Sequence, residues 1–188
     1  AFDEATAILA GDALLTLAFD ELAGDEPRRA REQARVLARA AGSRGMVGGQ
    51  VLDLSLEAAG ARTREAVEDM HARKTAALFA AACEMGAIAA GREEARASAA
   101  RYGQELGLLF QAVDDLLDVT GDAATLGKTP GKDAALERAT LVAALGLAGA
   151  RSRAEERAAE LRKRAETLGF APKSPLHAFV DFVLERRA

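Results

Sequence analysis

The sequence predicts an all-α protein. Apolar residues recur at helical spacing along nearly the whole chain, and no segment alternates as a half-buried strand does. Alanine and leucine dominate while β-branched residues are few, which also favours helices packed on helices. The 188 residues are 49% hydrophobic, enough for one hydrophobic core, so we assign residues 1–188 to a single domain.

Glycine and proline residues mark the ends of the predicted helices. The predicted helices run from the start of the chain to Gly24, from Pro27 to Gly42 behind an Asp25 cap, from about Met46, from about Arg64 to Ala90, from about Glu93 to Val119, from about Ala134 to Leu168, and from Pro175 behind a Ser174 cap. Gly48 and Gly49 fall inside the third helix, where each costs about 1 kcal/mol relative to alanine. We therefore expect close packing or a ligand beside this pair.

Charge and cysteine content exclude several classes of protein. The net charge is −4 with acids and bases interleaved, so the sequence lacks the clustered positive charge that is typical of nucleic-acid-binding proteins. No segment is apolar enough for a membrane span. Cys83 is the only cysteine, which rules out an intramolecular disulfide and favours a reducing compartment, and we predict it to be a small core residue. These features predict a cytoplasmic protein.

The segment FQAVDDLLDV carries three aspartates in one helical turn. At 100° per residue, Gln111, Asp114 and Asp118 fall within about 60° of one another, with Asp115 at the edge of the group. Two carboxylates about 6 Å apart repel by about 3 kcal/mol at an effective dielectric of 20, and far less in open water. The turn is therefore either a solvated acidic face or a site for a hard cation such as Mg²⁺, which prefers oxygen ligands.

The predicted loop from Gly121 to Asp133 favours the cation site. It supplies Lys128 and Lys132 among glycines, and a magnesium-bound diphosphate needs such cations beside the acids. GDAATLGKT nearly matches a phosphate-binding P-loop, but it has five residues between its glycines where four are required, and it follows a helix. We therefore reject the P-loop. Lys132 either closes over the site or is solvated.

The stretch FQAVDDLLDVTGDAATLGK closely resembles the second aspartate-rich motif of trans-isoprenyl diphosphate synthases, in particular bacterial farnesyl and geranylgeranyl diphosphate synthases. AILAGDALLTLAF, GMVGGQVLDL and HARKTAALFAAACEMGA also look like family segments, in the family's order. The resemblance implies an all-α bundle of helices around a central cavity, usually a homodimer. The activity it implies is magnesium-dependent, head-to-tail transfer of an allylic prenyl group from its diphosphate onto isopentenyl diphosphate.

The resemblance also implies roles for single residues. Asp114 would be a direct magnesium ligand, with Asp115 and Asp118 supporting the hydrated metal. Gln111 would face the cavity near the allylic cation, and Lys128 would contact the allylic diphosphate.

Other family segments add further site residues. Lys74 would contact diphosphate, Thr75 would stabilise developing positive charge, and Gln50 and Asp53 would line the allylic pocket. The family's KxTYP stretch is replaced here by RATLV, in which Arg138 keeps a positive charge that can contact diphosphate. We predict Arg186 and Arg187, at the end of the chain, to form a frayed surface terminus.

The family's first aspartate-rich motif, whose acids would bind two of three magnesium ions, does not occur in this sequence. The chain lacks an initiator Met and its helical pattern is already running at Ala1, so we expect it to be about the C-terminal two thirds of a synthase. One magnesium ion would be held by the motif present, and this polypeptide alone would be inactive or nearly so. The alternatives are a non-catalytic helical subunit of a synthase and a terpene cyclase, although DDLLDVTGD does not fit the second metal motif of cyclases.

Overall fold

The computed structural model describes residues 3–125, 138–169 and 174–186. Within these ranges the secondary structure is helical and no strand occurs, so the predicted all-α fold class is confirmed. The helices are α1 (Glu4–Ala23), α2 (Pro27–Ala41), α3 (Met46–Ala59), α4 (Arg64–His71), α5 (Ala77–Ala89), α6 (Arg96–Thr125), α7 (Leu141–Thr167) and α8 (Pro175–Glu185).

Most helix ends follow the predicted punctuation, but the N-cap of α2 differs from the prediction. Gly24 ends α1, and Ser174 caps α8 by accepting a hydrogen bond from the amide of His177. The N-cap of α2 is Glu26 and not Asp25, because the Glu26 carboxylate accepts from the backbone amides of the first helical turn. Asp25 instead accepts from the backbone amide of Glu26 and from side chains further along α2.

The predicted helix from Arg64 to Ala90 is interrupted by one turn of π-helix. This turn, Ala72–Ala76, joins α4 to α5 and carries both Lys74 and Thr75. A π-turn inserts one extra residue into a helix and often occurs at functional sites, where it redirects side chains. A 3₁₀ turn at Glu93–Ala95 then leads into α6.

The region between α6 and α7 differs from the prediction. The backbone of α6 stays helical to Thr125, so the predicted loop does not begin at Gly121, and most of that loop lies outside the described residues. Residues 138–140 are not helical, so α7 begins later than predicted, at Leu141, where Thr140 caps it by accepting from the amide of Ala143. This late start leaves the first amide of α7 free to bond across to α6.

α6 lies at the centre of the packing and contacts α5, α7 and α8. Leu109 of α6 and Leu161 of α7 are completely buried in the main hydrophobic cluster. Tyr102 is buried as well, and its hydroxyl donates to the carbonyl of Leu176 at 2.9 Å, which joins α6 to α8. Cys83 is partly buried and packs against the same cluster. This core fixes the face of α6 that carries the acidic turn.

α1 is exposed along most of its length and has no buried residue. Large hydrophobic side chains are exposed on α1 and also on α3; they are Ile8, Leu9, Leu14, Leu15, Leu17, Val47, Val51 and Leu54. An apolar surface of this kind is typical of an interaction site. Across the ranges described, no helix combines the length and the apolar character that a membrane span requires.

Candidate active site

The acidic turn of α6 divides its three aspartates between two environments. The Asp114 side chain is 35% exposed and that of Asp118 is 53% exposed. They lie one helical turn apart, on the accessible side of the helix. Asp115 points inward and its side chain is only 4% exposed. The position at the edge of the predicted acidic face thus belongs to a buried carboxyl group.

Each accessible aspartate has an arginine as its partner. Arg186, just after α8, bonds to Asp114 and also stacks over the ring of Phe110, with the guanidinium carbon 4.2 Å from the ring centroid. Arg138 donates to Asp118 at 3.1 Å. Burial raises the pKa of Asp114, and the contact with Arg186 opposes that rise. Arg186 is therefore not the frayed surface residue that we predicted.

The π-turn provides the opposite wall of the site. Lys74 Nζ lies 2.5 Å from Asp53 Oδ2, so the predicted site residues of α3 and of the π-turn are in contact. The Thr75 hydroxyl donates to Gln111 Oε1 at 2.9 Å, which ties the π-turn to α6.

Gly49 allows α3 to approach the π-turn this closely. A Cβ atom at Gly49 would lie 2.1 Å from the backbone nitrogen of Lys74 and 2.5 Å from its Cα atom. A Cβ atom at Gly48 would likewise lie 2.0 Å from the backbone oxygen of Ser43, so the prediction of close packing at the Gly48–Gly49 pair is confirmed.

Asp115 connects α6 to the first residue of α7. Its Oδ2 accepts a 2.7 Å hydrogen bond from the amide of Leu141, and its Oδ1 accepts a 3.3 Å hydrogen bond from Gln111 Nε2. Burial raises the pKa of Asp115 to about 7, although the hydrogen bond from Leu141 lowers it. The buried His71 has its Nε2 3.7 Å from Asp115 Oδ2, and burial lowers the pKa of His71 to about 4. Given these opposite shifts, we treat the contact as one between neutral groups near pH 5 to 6, and not as an ion pair.

The opposite pKa shifts of His71 and Asp115 predict how stability depends on pH. As the pH falls from 7 to 5, the unfolded chain protonates His71 while the folded chain does not, which lowers the free energy of unfolding by about 2 kcal/mol. Over the same range the folded chain protonates Asp115 while the unfolded chain does not, which raises the free energy of unfolding by about 2 kcal/mol. The two contributions cancel in the wild-type protein.

Replacing either His71 or Asp115 leaves only the other residue's contribution to the pH dependence of stability. When the pH is lowered from 7 to 5, we expect the free energy of unfolding of His71→Gln to rise by about 2 kcal/mol relative to the wild-type change. The free energy of unfolding of Asp115→Asn should fall by about 2 kcal/mol on the same comparison. Urea unfolding at pH 7, 6 and 5 measures these slopes. If both variants follow the wild-type pH dependence, the two burial-driven pKa shifts are wrong.

A small cavity lies where these elements meet. Its volume is about 20 Å³, room for about one water molecule. The predicted site residues that line it are Asp53, Lys74, Gln111, Asp115 and Arg138, together with Met70, His71, Ala139 and Thr140. Thr75 is one hydrogen bond away from this cavity through Gln111. Gln50 is exposed on α3, and Lys128 and Lys132 lie outside the described residues.

The accessible acids suit a cation that is shared with a phosphate ligand. Within the part of the chain that the structure describes, no three His, Cys, Asp or Glu side chains form a ready-made metal site. Mg²⁺ usually takes one or two carboxylates from the protein and completes its shell with water and substrate phosphates. Asp114 and Asp118 offer two hard oxygen donors of this kind. Asp115, already accepting two hydrogen bonds, is less available.

Comparison with known proteins identifies the family. The sequence profile of the polyprenyl synthetase family matches residues 1–169. The chain belongs to this family. It is 41% identical to farnesyl diphosphate synthase of Escherichia coli (strain K12) over 194 residues, covering 98% of this chain and 64% of that protein. It is 36% identical to chloroplastic geranylgeranyl pyrophosphate synthase of Capsicum annuum, covering 98% of this chain and 52% of that protein.

A solved structure agrees with this result. Geranyltransferase from Helicobacter pylori, complexed with magnesium and isoprenyl diphosphate, superposes with a TM-score of 0.77 and 34% identity, covering 98% of this chain and 61% of that one. The chain thus spans between half and two thirds of the length of these relatives. The family resemblance noted from the sequence is confirmed.

Proposed function

We propose that the protein containing this chain is a polyprenyl diphosphate synthase of the farnesyl or geranylgeranyl type. It transfers an allylic prenyl group from its diphosphate, head to tail, onto isopentenyl diphosphate. One observation carries the proposal within this family: Asp114 and Asp118 are accessible on α6, and Arg138, which pairs with Asp118, lines a small cavity together with Lys74 and Gln111. Acids for a metal, a cation for diphosphate and a polar group for the reacting carbon are thereby brought together.

In this proposal Asp114 and Asp118 hold a magnesium ion, with two further ions held elsewhere in the complete enzyme. Magnesium supplies the positive charge that binds the diphosphate and stabilises it as a leaving group. The match to the Helicobacter pylori protein, which was solved with magnesium and isoprenyl diphosphate, supports this ligand class. Asp115 contributes to the site from inside the fold, by accepting hydrogen bonds from Gln111 and from the amide of Leu141.

The predicted site residues have complementary roles in the proposal. Lys74, Arg138 and Lys128 bind diphosphate oxygens, and Gln50 and Asp53 form part of the allylic pocket. The bond between the allylic carbon and oxygen breaks, the double bond of isopentenyl diphosphate forms the new carbon–carbon bond, and a proton leaves to the released pyrophosphate. Gln111 and Thr75 place oxygen atoms near the developing positive charge and stabilise it electrostatically.

The exposed apolar side chains of α1 and α3 support a homodimer. A cytoplasmic location is part of the proposal, because Cys83 is the only cysteine in the sequence. The same apolar side chains also favour a second function, that of a non-catalytic helical subunit bound to a complete synthase. A subunit with no chemistry of its own does not need the contact between Lys74 and Asp53 or the accessible acids, so we favour the enzyme.

A primer assay tests the proposed function. Labelled isopentenyl diphosphate is incubated with Mg²⁺ and allylic primers of increasing length, using both the 188-residue chain and the natural polypeptide that contains it. We expect elongated prenyl diphosphates from the natural polypeptide, lost on chelation of the metal, and little or none from the chain alone. No product from the natural polypeptide with any primer would contradict the proposal. Stimulation of a second synthase without turnover of its own would favour the subunit.

A further inference from the structure

The hydrogen bonds around Gln111 form a chain with a defined direction. The Thr75 hydroxyl donates to Gln111 Oε1 at 2.9 Å, Gln111 Nε2 donates to Asp115 Oδ1 at 3.3 Å, and Asp115 Oδ2 accepts from the amide of Leu141 at 2.7 Å. This series of hydrogen bonds runs from the π-turn through α6 to the first turn of α7. Both of its ends belong to elements packed on α6.

The buried carboxylate determines which way the Gln111 amide faces. An ionised carboxylate can only accept hydrogen bonds, whereas a glutamine side chain has one donating and one accepting end. Leu141 already occupies Oδ2 of Asp115, so Gln111 must turn its NH₂ group towards Oδ1. Its carbonyl oxygen then faces Thr75.

We propose that Asp115 is a positioning residue that orients the Gln111 amide so that its carbonyl oxygen, not its NH₂ group, is presented beside Thr75. This inference rests on the proposed function, since its consequence is that the negative end of the amide dipole is in place before positive charge develops on the allylic group. A dipole oriented in advance stabilises a transition state without reorganisation. Asp115 would thus contribute through Gln111 and not as a metal ligand.

Asp115→Asn separates orientation from folding. The carbonyl oxygen of the introduced amide can still accept from Leu141, but the new NH₂ group then faces Gln111, so the glutamine amide turns over and its own NH₂ group faces Thr75. The Thr75 hydroxyl can accept this hydrogen bond, so every polar group keeps a partner. In the natural polypeptide we expect kcat to fall about 100-fold. The KM for the allylic diphosphate and the Mg²⁺ concentration for half-maximal rate should stay within about a factor of two.

Comparison variants distinguish the possible roles of Asp115. Asp114→Asn should raise the Mg²⁺ requirement, and a similar rise in Asp115→Asn would instead assign Asp115 to the metal. In a Gln111→Leu background, adding Asp115→Asn should change kcat by less than about threefold, because the group through which it acts is gone. Additive losses would overturn the inference, as would an unchanged kcat in Asp115→Asn.

A spectroscopic measurement tests the amide orientation without any assay of turnover. In nuclear Overhauser spectra, the Gln111 side-chain NH₂ protons should approach the Thr75 methyl group in Asp115→Asn and not in the wild-type protein. If the wild-type protein makes no prenyl product, the proposed function fails while these spectra still decide the orientation. Identical contacts in both proteins would refute the role of Asp115.

Discussion

In the natural polypeptide, Asp114→Asn is expected to lower the rate of prenyl transfer at least about 100-fold at fixed Mg²⁺. Asp114 is one of two acids on the accessible side of α6, and the variant removes its charge while keeping its size. The weakened site should need more Mg²⁺ for half-maximal rate. Helix content should not change, since an amide oxygen can still accept from Arg186 and the side chain contributes little to the core.

Steady-state rates across a Mg²⁺ titration, together with circular dichroism, measure this prediction. The matched control is Asp69→Asn on α4, which also removes an exposed aspartate paired with an arginine, Arg73, at 3.1 Å. The control should keep the wild-type rate and Mg²⁺ requirement. A wild-type profile in Asp114→Asn itself would remove Asp114 from the metal site.

Gly49→Ala is expected to cost about 3 kcal/mol or more of stability. The added Cβ would overlap backbone atoms of Lys74, and no change of side-chain rotamer can relieve a clash with backbone. α3 must therefore move away from the π-turn. That movement would separate Asp53 from Lys74, so activity should fall together with stability.

Urea unfolding at constant temperature and the primer assay measure both effects of Gly49→Ala. Gly86→Ala provides the control, because Gly86 is also helical and has no heavy atom within 4 Å of an added Cβ. The control should gain up to about 1 kcal/mol, as alanine favours the helix. If Gly49→Ala lies within about 0.5 kcal/mol of the wild-type protein, the close approach of α3 to the π-turn is wrong.

Local sequence signals predicted most of the helices because their ends are chemically marked. Ser174 followed by proline, and the glycine after α1, specify helix ends through backbone geometry and capping. The π-turn at Ala72–Ala76 carried no such mark, since its extra residue is accommodated by packing against α3 and α6. The start of α7 was also misplaced, because Arg138 before the helix bonds to Asp118 of α6 and the first amide of α7, from Leu141, bonds to Asp115.

The residue types of the candidate site were predictable from the sequence, but the directions in which their side chains point were not. Helical spacing placed Asp114 and Asp118 on one face, and the structure puts both on the accessible side of α6. The spacing could not show that Asp115, at the edge of that face, is buried by the start of α7. The contact of Arg186 with Asp114 spans 72 residues of sequence, so no local pattern reveals it.

The family could be recognised from the sequence because several separate segments matched in order, and the comparisons confirm that membership. The roles of Asp114, Gln111 and Lys74 in catalysis remain predictions. The geometry adds one constraint that the motif alone lacks: two of its three aspartates are accessible to a cation, and the third is engaged inside the fold.

The central claim is that the accessible acids of α6 hold a divalent cation that binds diphosphate. Crystals grown with Mn²⁺ and a bisphosphonate test it most directly, because manganese gives an anomalous signal and can replace magnesium at an oxygen site. We predict an anomalous peak against the carboxylate of Asp114, with the bisphosphonate between that peak and Lys74. A bisphosphonate bound elsewhere, or no peak at Asp114 with Arg186 still paired to it, would contradict the claim.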